Sequence, residues 1–298
     1  MNRYQASAAA VVFFLAAAGC QPRWALESRI QIGTTKAPVI GFIFVPREYL
    51  ALHPKLEELF GCAVLFNPVL GPKDIAAHLT DGSWQFGILS SGEYMAIRGQ
   101  SGIQPVASAV FENGQSVIKG VIVASAGSDV NTLADCKGKR FAFGPAHDLL
   151  YDYATRAALR SAGIGDKDLA TEIPPISLNG RLHRPSGKDV ARVVAFDLTI
   201  PAGVIDEITF RNLPDKGGSL ITGPSKDMFR MIGGTASVPG AVVVASDQAD
   251  PVAVEKLRGF LTMRVKNEAD ICKQMGVSGF TESVAAAFDA AAQFVPTD

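Results

Sequence analysis

The sequence contains few of the residues that carry metal or disulfide chemistry. Only four cysteines occur in 298 residues. Three of them, Cys62, Cys136 and Cys272, lie well beyond the N-terminal segment, and their spacing is far too wide for a metal-binding knuckle. Because three thiols permit at most one bridge, we expect buried, free thiols and a fold that does not depend on disulfides.

Catalytic motifs are also absent. The sequence has no GxSxG elbow, Walker loop, HExxH helix, GxGxxG turn or paired-cysteine motif. The four histidines, His53, His78, His147 and His183, are not spaced as metal ligands from a single helix. We therefore expect a protein that is not an enzyme and that uses no cofactor or metal. The alternative is an extracytoplasmic enzyme in which His147 and the adjacent Asp148 supply an acid–base pair.

An excess of charge of either sign is missing as well. The 28 basic and 29 acidic residues give a formal net charge of −1. Nucleic-acid binding proteins usually carry a basic face, so this balance argues against nucleic acid as a partner.

No long apolar segment occurs beyond the N-terminus, and the run from Ala6 to Ala18 is too short to span a membrane.

The N-terminal segment instead resembles an export signal. Arg3 precedes the apolar run, and the small residues Ala17, Ala18 and Gly19 stand directly before Cys20, as in a bacterial lipoprotein box. We expect residues 1–20 to be a lipoprotein-type signal peptide with Cys20 lipidated, and residues 21–37 to be a tether. Ordinary secretion without lipidation is the alternative.

What the sequence does contain is a regular alternation of strand and helix patterns. Hydrophobic residues make up 48% of the chain, and its length allows two lobes. Short apolar runs predict strands covered on both faces, and many are followed by apolar residues at helical spacing. This order predicts an α/β fold with doubly wound, mostly parallel sheets. Strands are expected at 39–45, 63–66, 86–89, 103–111, 117–124, 140–143, 202–205, 228–232 and 241–244; helices are expected at 51–60, 74–79, from 93, from 148, at 189–195, 251–264 and 281–294.

The stretch from Gly138 to Ile164 predicts a ligand cleft. A short apolar strand, Arg140 to Phe143, is followed by a tight turn and by a helix that Asp148 can cap. In an open α/β sheet such a junction places backbone N–H groups at the carboxyl end of a strand, where these folds bind ligands. We therefore expect a cleft near residues 146–151.

Polar side chains near the ends of predicted strands are the candidate ligand contacts. Ser90 and Ser91 follow one strand and either meet an anion or cap the next helix. Asp206 and Glu207 follow another strand, and this carboxylate pair suits a cationic or hydroxyl group, or a helix cap. The remaining candidates have structural alternatives as a helix cap, a core ring or an exposed turn residue: Tyr94, His147, Asp148 and Tyr151.

Four segments resemble, in order, the phosphonate-binding family of ABC-transporter substrate-binding proteins. They are DGSWQFGILSSGEY at 81–94, LADCKGKRFAFGPA at 133–146, AGVIDE at 202–207 and TASVPG at 235–240. The resemblance implies a type II periplasmic-binding-protein fold, in which two α/β lobes joined by two crossing segments close on a ligand. By analogy, lobe I comprises residues 38–112 plus 236–298, and lobe II comprises residues 113–235.

The resemblance also implies partners and a location. A member of this family captures a small-molecule ligand outside the cytoplasm and delivers it to an ABC permease. The chain is then expected in the periplasm or at the cell surface, held to a bacterial membrane by its lipid anchor. A sensor of the same fold, which presents its ligand to a signalling partner, is the alternative.

The residues that hold the phosphonate in this family are mostly replaced. Where the family has a serine-threonine-serine run at the helix start, this chain has His147, Asp148 and Leu149. An aspartate repels an oxyanion, and leucine offers no hydrogen bond. One family tyrosine falls at about Val117, and another, near Pro72, is missing.

Two other family contacts have counterparts. Glu207 matches an acidic ligand contact, and His183 matches a cleft histidine if one residue is inserted. The segments that resemble the family are thus present, whereas most of the residues that bind phosphonate in the family are replaced. We expect a cleft adapted to a different ligand, which is larger, less charged, amphipathic, lipid-like or cationic.

Overall fold

The computed structural model describes residues 39–42, 47–68, 71–170, 177–178, 181–184, 186–282 and 285–295. The predicted export signal at 1–20, including Cys20, and the tether at 21–37 lie outside the described residues. Within these ranges, none of the helices combines the length and apolar character needed to cross a membrane.

Fourteen strands are present in the described ranges, and most of them belong to two six-stranded sheets. Their bounds are β1 (Val39–Phe42), β2 (Leu65–Pro68), β3 (Phe86–Leu89), β4 (Ile103–Phe111), β5 (Val117–Ile118), β6 (Gly120–Ser125), β7 (Phe141–Phe143), β8 (Ser177–Leu178), β9 (Arg181–His183), β10 (Ala202–Asp206), β11 (Phe229–Gly234), β12 (Val238–Pro239), β13 (Val242–Ser246) and β14 (Val277–Thr281). Sheet I has the order β14-β4-β13-β3-β1-β2, and sheet II has the order β11-β6-β10-β7-β9-β8. We call the body around sheet I lobe I and the body around sheet II lobe II.

Helices connect these strands and pack on the sheets. The α-helices are α1 (His53–Phe60), α2 (Pro72–Thr80), α3 (Ser91–Ile97), α4 (Thr155–Ser161), α5 (Gly187–Phe196), α6 (Glu207–Arg211), α7 (Pro251–Gly259), α8 (Ala269–Met275) and α9 (Ala285–Ala291). A π-helical segment, Leu149–Ala154, leads directly into α4, and a second one, Phe260–Arg264, continues α7. Short 3₁₀ segments are Arg47–Leu52, Leu133–Cys136, Asp166–Asp168, Lys226–Met228, Val265–Asn267 and Ala292–Phe294.

Both sheets are mixed, which corrects the expectation of mostly parallel strands. In sheet I, β1 is parallel to β2 and β3, whereas β13 is antiparallel to both β3 and β4. In sheet II, β7 is parallel to β9 and β10, whereas β6 is antiparallel to β10 and β11. Helical crossovers within a lobe make parallel neighbours. Strands β6 and β13 enter from the other lobe instead, and they run in the opposite direction.

Two segments cross between the lobes. The chain leaves sheet I after β4 and enters sheet II at β6, and it returns between β11 and β13. The short strands β5 and β12 lie on these two crossings and pair with each other, Val238 opposite Ile118. The α/β fold with two lobes and two crossing segments is therefore confirmed.

Several predicted elements have different bounds. The predicted strand at 117–124 is interrupted at Lys119, because the chain passes there from the crossing pair into sheet II. Of the predicted helix at 281–294, the structure describes α9 from Ala285 to Ala291, whereas Thr281 is in a strand that pairs with β4. The short helix α8 and strand β14 are elements that the sequence patterns did not predict.

The core consists of apolar layers on the faces of the two sheets. Phe86 and Phe143 are fully buried in sheets I and II. The Cys136 and Cys272 thiols are buried in these layers, Cys62 is half-buried, and all three are free. Burial raises the pKa of the Cys136 thiol to about 12. The prediction of free thiols is confirmed, with Cys62 only partly covered.

Candidate ligand-binding site

A cavity of about 880 Å³ lies between the lobes at the carboxyl ends of several strands. From lobe I it is lined by Ser90 and Ser91, which follow β3. From lobe II it is lined by Asp148, which follows β7, and by Asp206, which ends β10. Strands β7 and β10 are neighbours in sheet II. The sheet order therefore brings the two carboxylates to the same edge, where open α/β sheets place their ligands.

The two serines at the start of α3 have different roles: Ser90 caps the helix, and the Ser91 hydroxyl has no such contact. The Ser90 hydroxyl accepts a hydrogen bond from the Glu93 N–H at 3.3 Å, and the Glu93 carboxylate accepts one from the Ser90 N–H at 2.7 Å. This is a capping box, which explains why the helix begins here. Ser91 is buried and lines the cavity, and among the described residues its hydroxyl makes no hydrogen bond. Ser91 is therefore the serine whose hydroxyl is available to a ligand.

Asp148 caps the N-terminus of the helical segment Leu149–Ala154 on lobe II. Its Oδ1 accepts hydrogen bonds from the N–H groups of Leu150 and Tyr151, both at 2.8 Å. Two of the free amides that a helix start offers are thus satisfied by the chain's own carboxylate. Burial, together with the nearby carboxylates of Glu93 and Asp152, nevertheless raises the pKa of Asp148 to about 6.

Tyr151 and Asp206 form a hydrogen-bonded pair on the cavity wall. The Tyr151 hydroxyl donates to Asp206 Oδ2 at 2.7 Å, and Asp206 Oδ1 accepts from the Thr209 N–H at 2.7 Å, which caps α6. Asp206 is only 9% exposed. Burial and the neighbouring Asp206 raise the pKa of Tyr151 well above its ordinary value, so its hydroxyl keeps its proton. Gly187 packs so closely on this pair that a Cβ there would lie 2.5 Å from the Tyr151 hydroxyl.

Four other predicted contacts are not among the residues that line the cavity. Tyr94 is buried in the core of lobe I, with its ring centroid 4.7 Å from that of Phe288. His183 is half-buried, and its Nδ1 lies 2.9 Å from the Gly144 carbonyl oxygen. Glu207 binds the crossing segment, where its Oε1 accepts from the Lys119 N–H and the Asn113 amide. The structure thus brings Ser90, Ser91, Asp148 and Tyr151 together, with Asp206 in place of the adjacent Glu207.

His147, the fourth, lies at a contact between the lobes. It is exposed and has a left-handed backbone, with φ of 62°, held by a hydrogen bond from its N–H to Asp152 Oδ2 at 2.9 Å. A Cβ on Gly92 of α3 would lie 2.0 Å from the His147 carbonyl oxygen. No hydrogen bond joins the side chains of His147 and Asp148 in the part of the chain described. Asp148 instead accepts from the Leu150 and Tyr151 amides, and His147 Nδ1 lies 3.4 Å from the Tyr153 hydroxyl.

The sequence analysis missed three basic side chains that line the same cavity. Lys188 and Arg192 belong to α5 on lobe II, and Lys273 belongs to α8 on lobe I. One signal was available: Ser186 three residues before Asp189 is a helix-start pattern, and the Ser186 hydroxyl does accept from the Asp189 N–H. That start places Lys188 in the first turn. No comparable signal exists for Lys273, because only the packing of the two lobes brings it to the cavity.

Comparison with solved structures supports the fold assignment. XAC2383 from Xanthomonas citri, bound to chloride, is 17% identical with a TM-score of 0.64, covering 87% of this chain and 97% of that one. PhnD1 from Prochlorococcus marinus, in complex with methylphosphonate, is 14% identical with a TM-score of 0.64 and the same coverage. A binding protein of an ABC phosphonate transporter, PA3383 from Pseudomonas aeruginosa, is 15% identical with a TM-score of 0.62, covering 83% of this chain and 82% of that one.

The sequence itself matches the model of a known protein family. No curated protein matches the chain. Residues 45–288 match the family model described as "ABC transporter, phosphonate, periplasmic substrate-binding protein". This class is not enzymatic, and it implies a small-molecule ligand, an ABC permease as partner and a location outside the cytoplasm. The chain therefore belongs to the phosphonate-binding family of periplasmic substrate-binding proteins of ABC transporters.

Proposed function

We propose that this protein captures a solute other than a simple phosphonate in the cavity between its lobes and delivers it to an ABC permease. Ser91, Asp148, Tyr151 and Asp206 are the proposed contacts. The observation that carries the proposal is the position of the Asp148 carboxylate on the Leu150 and Tyr151 amides. These amides are the donors that a helix N-terminus would otherwise offer to an oxyanion.

The electrostatic cost of an oxyanion at this point supports the proposal. A phosphonate that approached these amides would lie about 4 Å from the Asp148 carboxylate, where two like charges repel by about 4 kcal/mol at the effective dielectric constant of a protein surface. Asp206, at the end of the neighbouring strand, adds a second carboxylate to the same wall. A repulsion of this size weakens binding by about a thousandfold.

The proposal includes the lobe boundaries and the anchor. We assign residues 38–112 plus 236–298 to lobe I and residues 113–235 to lobe II. The membership of the strands in sheets I and II supports this division.

We further propose that residues 1–20 are a signal peptide and that lipidated Cys20 holds the protein to a bacterial membrane at the periplasm or cell surface. The supporting feature is the run of small residues before Cys20.

Exchange of the capping side chain tests the ligand proposal. In Asp148→Ser the cap loses its negative charge, and its hydroxyl can donate to an oxyanion. Thermal unfolding of the chain lacking residues 1–20 is measured with methylphosphonate, phosphite and phosphate. We expect no shift for the wild type and a stabilising shift for Asp148→Ser.

Asp148→Asn is the matched control, because it removes the charge but keeps an oxygen on the two amides. We expect this variant to bind the three anions more weakly than Asp148→Ser. A ligand at a hundred times its dissociation constant stabilises a protein by about 2.7 kcal/mol. A shift of that size for the wild type with methylphosphonate would overturn the proposal.

A further inference from the structure

We infer that the mouth of the cavity docks on an anionic lipid surface, with the side chains of Leu220 and Ile221 inserted among the lipids. This inference goes beyond the proposed function, because it concerns the outer surface around the opening and not the ligand. It starts from two neighbouring aliphatic side chains on a loop of lobe II. Ile221 is 96% exposed, and Leu220 is 63% exposed.

These two side chains differ from the other exposed apolar side chains of the protein. Single apolar residues on a surface are common, whereas a contiguous exposed apolar patch marks an interaction site. Seven large apolar side chains are exposed among the described residues, and only Leu220 and Ile221 are consecutive. On lobe I, exposed Leu50 follows Tyr49, which lines the cavity. Exposed aliphatic side chains therefore flank the opening on both lobes.

The loop holds its apolar tip in one shape. Ser219 and Gly223 exchange both backbone hydrogen bonds at 2.8 Å, and the hydroxyls of Ser219 and Thr222 lie 2.8 Å apart. The two apolar residues lie between these paired positions, so the tip cannot bury them locally without breaking the hydrogen bonds. A tip that is already ordered loses little conformational entropy when it inserts into another phase.

The tip lies beside the opening of the cavity. Thr222, Gly223 and Pro224 follow it directly and line the cavity. The Leu220 carbonyl oxygen accepts a hydrogen bond at 3.0 Å from the guanidinium of Arg192, which also lines the cavity. A solute that is delivered to an ABC permease leaves through this opening, so the opening faces the membrane at delivery.

Basic side chains surround the same opening. Lys188 of α5 and Lys273 of α8 are exposed and line the cavity, and Lys216 is exposed on the loop that carries the tip. Neither these lysines nor Arg192 forms an ion pair within the described ranges. Each lysine or arginine close to an anionic membrane raises the affinity for it about fivefold.

The carboxylates near the opening offset only part of this charge. Asp215 pairs with Lys226 Nζ at 2.9 Å, and Asp189 accepts a hydrogen bond from the Ser186 hydroxyl at 2.6 Å. Glu112 is exposed on the crossing segment. The surface around the opening therefore carries an excess of positive charge, which complements anionic headgroups.

A lipid surface fits these features better than a protein partner does. A protein that bound two protruding aliphatic side chains would need a groove of matching shape, whereas a fluid bilayer adapts to the tip. Apolar insertion together with attraction of basic side chains to anionic lipids is the usual basis of interfacial membrane binding. A second copy of this chain is the alternative that the experiment separates.

Flotation with lipid vesicles tests the inference. The chain lacking residues 1–20, which has no lipid anchor, is mixed with vesicles of phosphatidylethanolamine and phosphatidylglycerol, or of phosphatidylcholine alone. Lipid is raised to about 1 mM, tenfold above the concentration at which a single myristoyl chain is half-bound. We expect binding to the anionic vesicles and its loss in about 1 M salt, where the Debye length is about 3 Å.

Two variants test the apolar and the charged contributions separately. Ile221→Ser is expected to weaken binding to the anionic vesicles at least about tenfold, because a large aliphatic side chain no longer leaves water. Lys216→Gln is expected to weaken it about fivefold. Unfolding curves without lipid separate loss of binding from loss of fold.

Matched controls come from the other end of lobe II. Leu198 is 79% exposed and lines a separate pocket together with the residues that directly precede β7 and β10. Lys167 is exposed, lies on a short 3₁₀ segment at that end and forms no ion pair in the part of the chain described. Leu198→Ser and Lys167→Gln are expected to bind the vesicles as the wild type does.

Three results would overturn the inference: no flotation with the anionic vesicles, equal binding to both kinds of vesicle, or equal binding by the wild type and Ile221→Ser. Sedimentation velocity without lipid provides a fourth. Self-association of the wild type that Ile221→Ser abolished would assign the tip to a contact between copies of the chain. None of these results affects the proposal that simple phosphonates are excluded, which is decided by methylphosphonate binding to the wild type and to Asp148→Ser.

Discussion

Gly92 of lobe I and His147 of lobe II meet backbone to backbone, and the His147 carbonyl oxygen lies 2.0 Å from the position that a Cβ on Gly92 would take. Any side chain at residue 92 would collide with lobe II. The same two segments carry Ser91 and Asp148 to the cavity. The distance between the lobes at this point therefore depends on the absence of one side chain.

Replacement of Gly92 by alanine is expected to separate the lobes at this contact. The backbone must move to admit the methyl group, and overpacking of this kind typically costs about 1–3 kcal/mol. Small-angle scattering should show a larger radius of gyration, and the thermal midpoint should fall. Gly259→Ala is the control, because Gly259 is helical and has open space around the position of a Cβ. Identical scattering for Gly92→Ala and wild type would contradict the contact.

The contribution of Asp148 to the free energy of unfolding is expected to fall as the pH rises from about 4 to about 6. The pKa of Asp148 in the fold is about 6, above its ordinary value of 3.8. The folded state therefore holds this proton more tightly than the unfolded state, and the stabilisation is complete below the ordinary pKa and lost above pH 6. The loss amounts to about 3 kcal/mol.

Asp148→Asn isolates this effect, because asparagine still accepts from the two amides and does not titrate. Urea unfolding at a series of pH values should show the variant to be more stable than the wild type near neutral pH. The difference should shrink toward about pH 4. If the difference between the two proteins did not change with pH, the buried charge of Asp148 would not be its cause.

Tyr151→Phe is expected to destabilise the fold by about 1–2 kcal/mol. The change removes the hydroxyl that donates to Asp206 at 2.7 Å and leaves a buried carboxylate with one fewer donor. Tyr153→Phe is a matched control, because it removes a hydroxyl from the same helical segment that lies 3.4 Å from His147 Nδ1, a long contact with an exposed side chain. If urea unfolding showed the same loss of unfolding free energy for both variants, the hydrogen bond from Tyr151 to Asp206 would not contribute to stability as expected.

The three thiols are expected to react at different rates with an exposed-thiol reagent. Burial raises the pKa of Cys136 to about 12, so its thiolate is scarce at neutral pH, and the residue is fully buried. Cys62 is half-buried, and burial and Glu57 raise its pKa. In the chain lacking residues 1–20, Cys62 should react first, whereas Cys136 and Cys272 should react only on unfolding. Early labelling of Cys136, read by peptide mass, would contradict this order.

The parts of the site that were predictable from the sequence depend on short-range patterns. A capping side chain and the amides it binds lie within three residues of each other, so Ser90 and Asp148 could be placed at helix starts before the structure was known. The two-lobed fold followed from the order of strands and helices together with the family segments.

The parts that were not predictable depend on contacts between distant residues. Tyr94 points to the core because Phe288 packs against its ring, and no local pattern shows this contact. Likewise, Asp206 rather than Glu207 faces the cavity because Glu207 binds Lys119 on the crossing segment. Lys273 reaches the cavity only through the packing of lobe I against lobe II.

The position of β13 in the middle of sheet I sets the order in which the two lobes can be completed. Sheet II is formed from one continuous stretch, from β6 to β11, so all of its strands exist once residue 234 has been made. Sheet I cannot join β3 to β4 until residues 242–246 have been added between them. Strands β1 to β3 therefore cannot join β4 in one sheet until the C-terminal quarter of the chain has been added. The cavity between the lobes forms last.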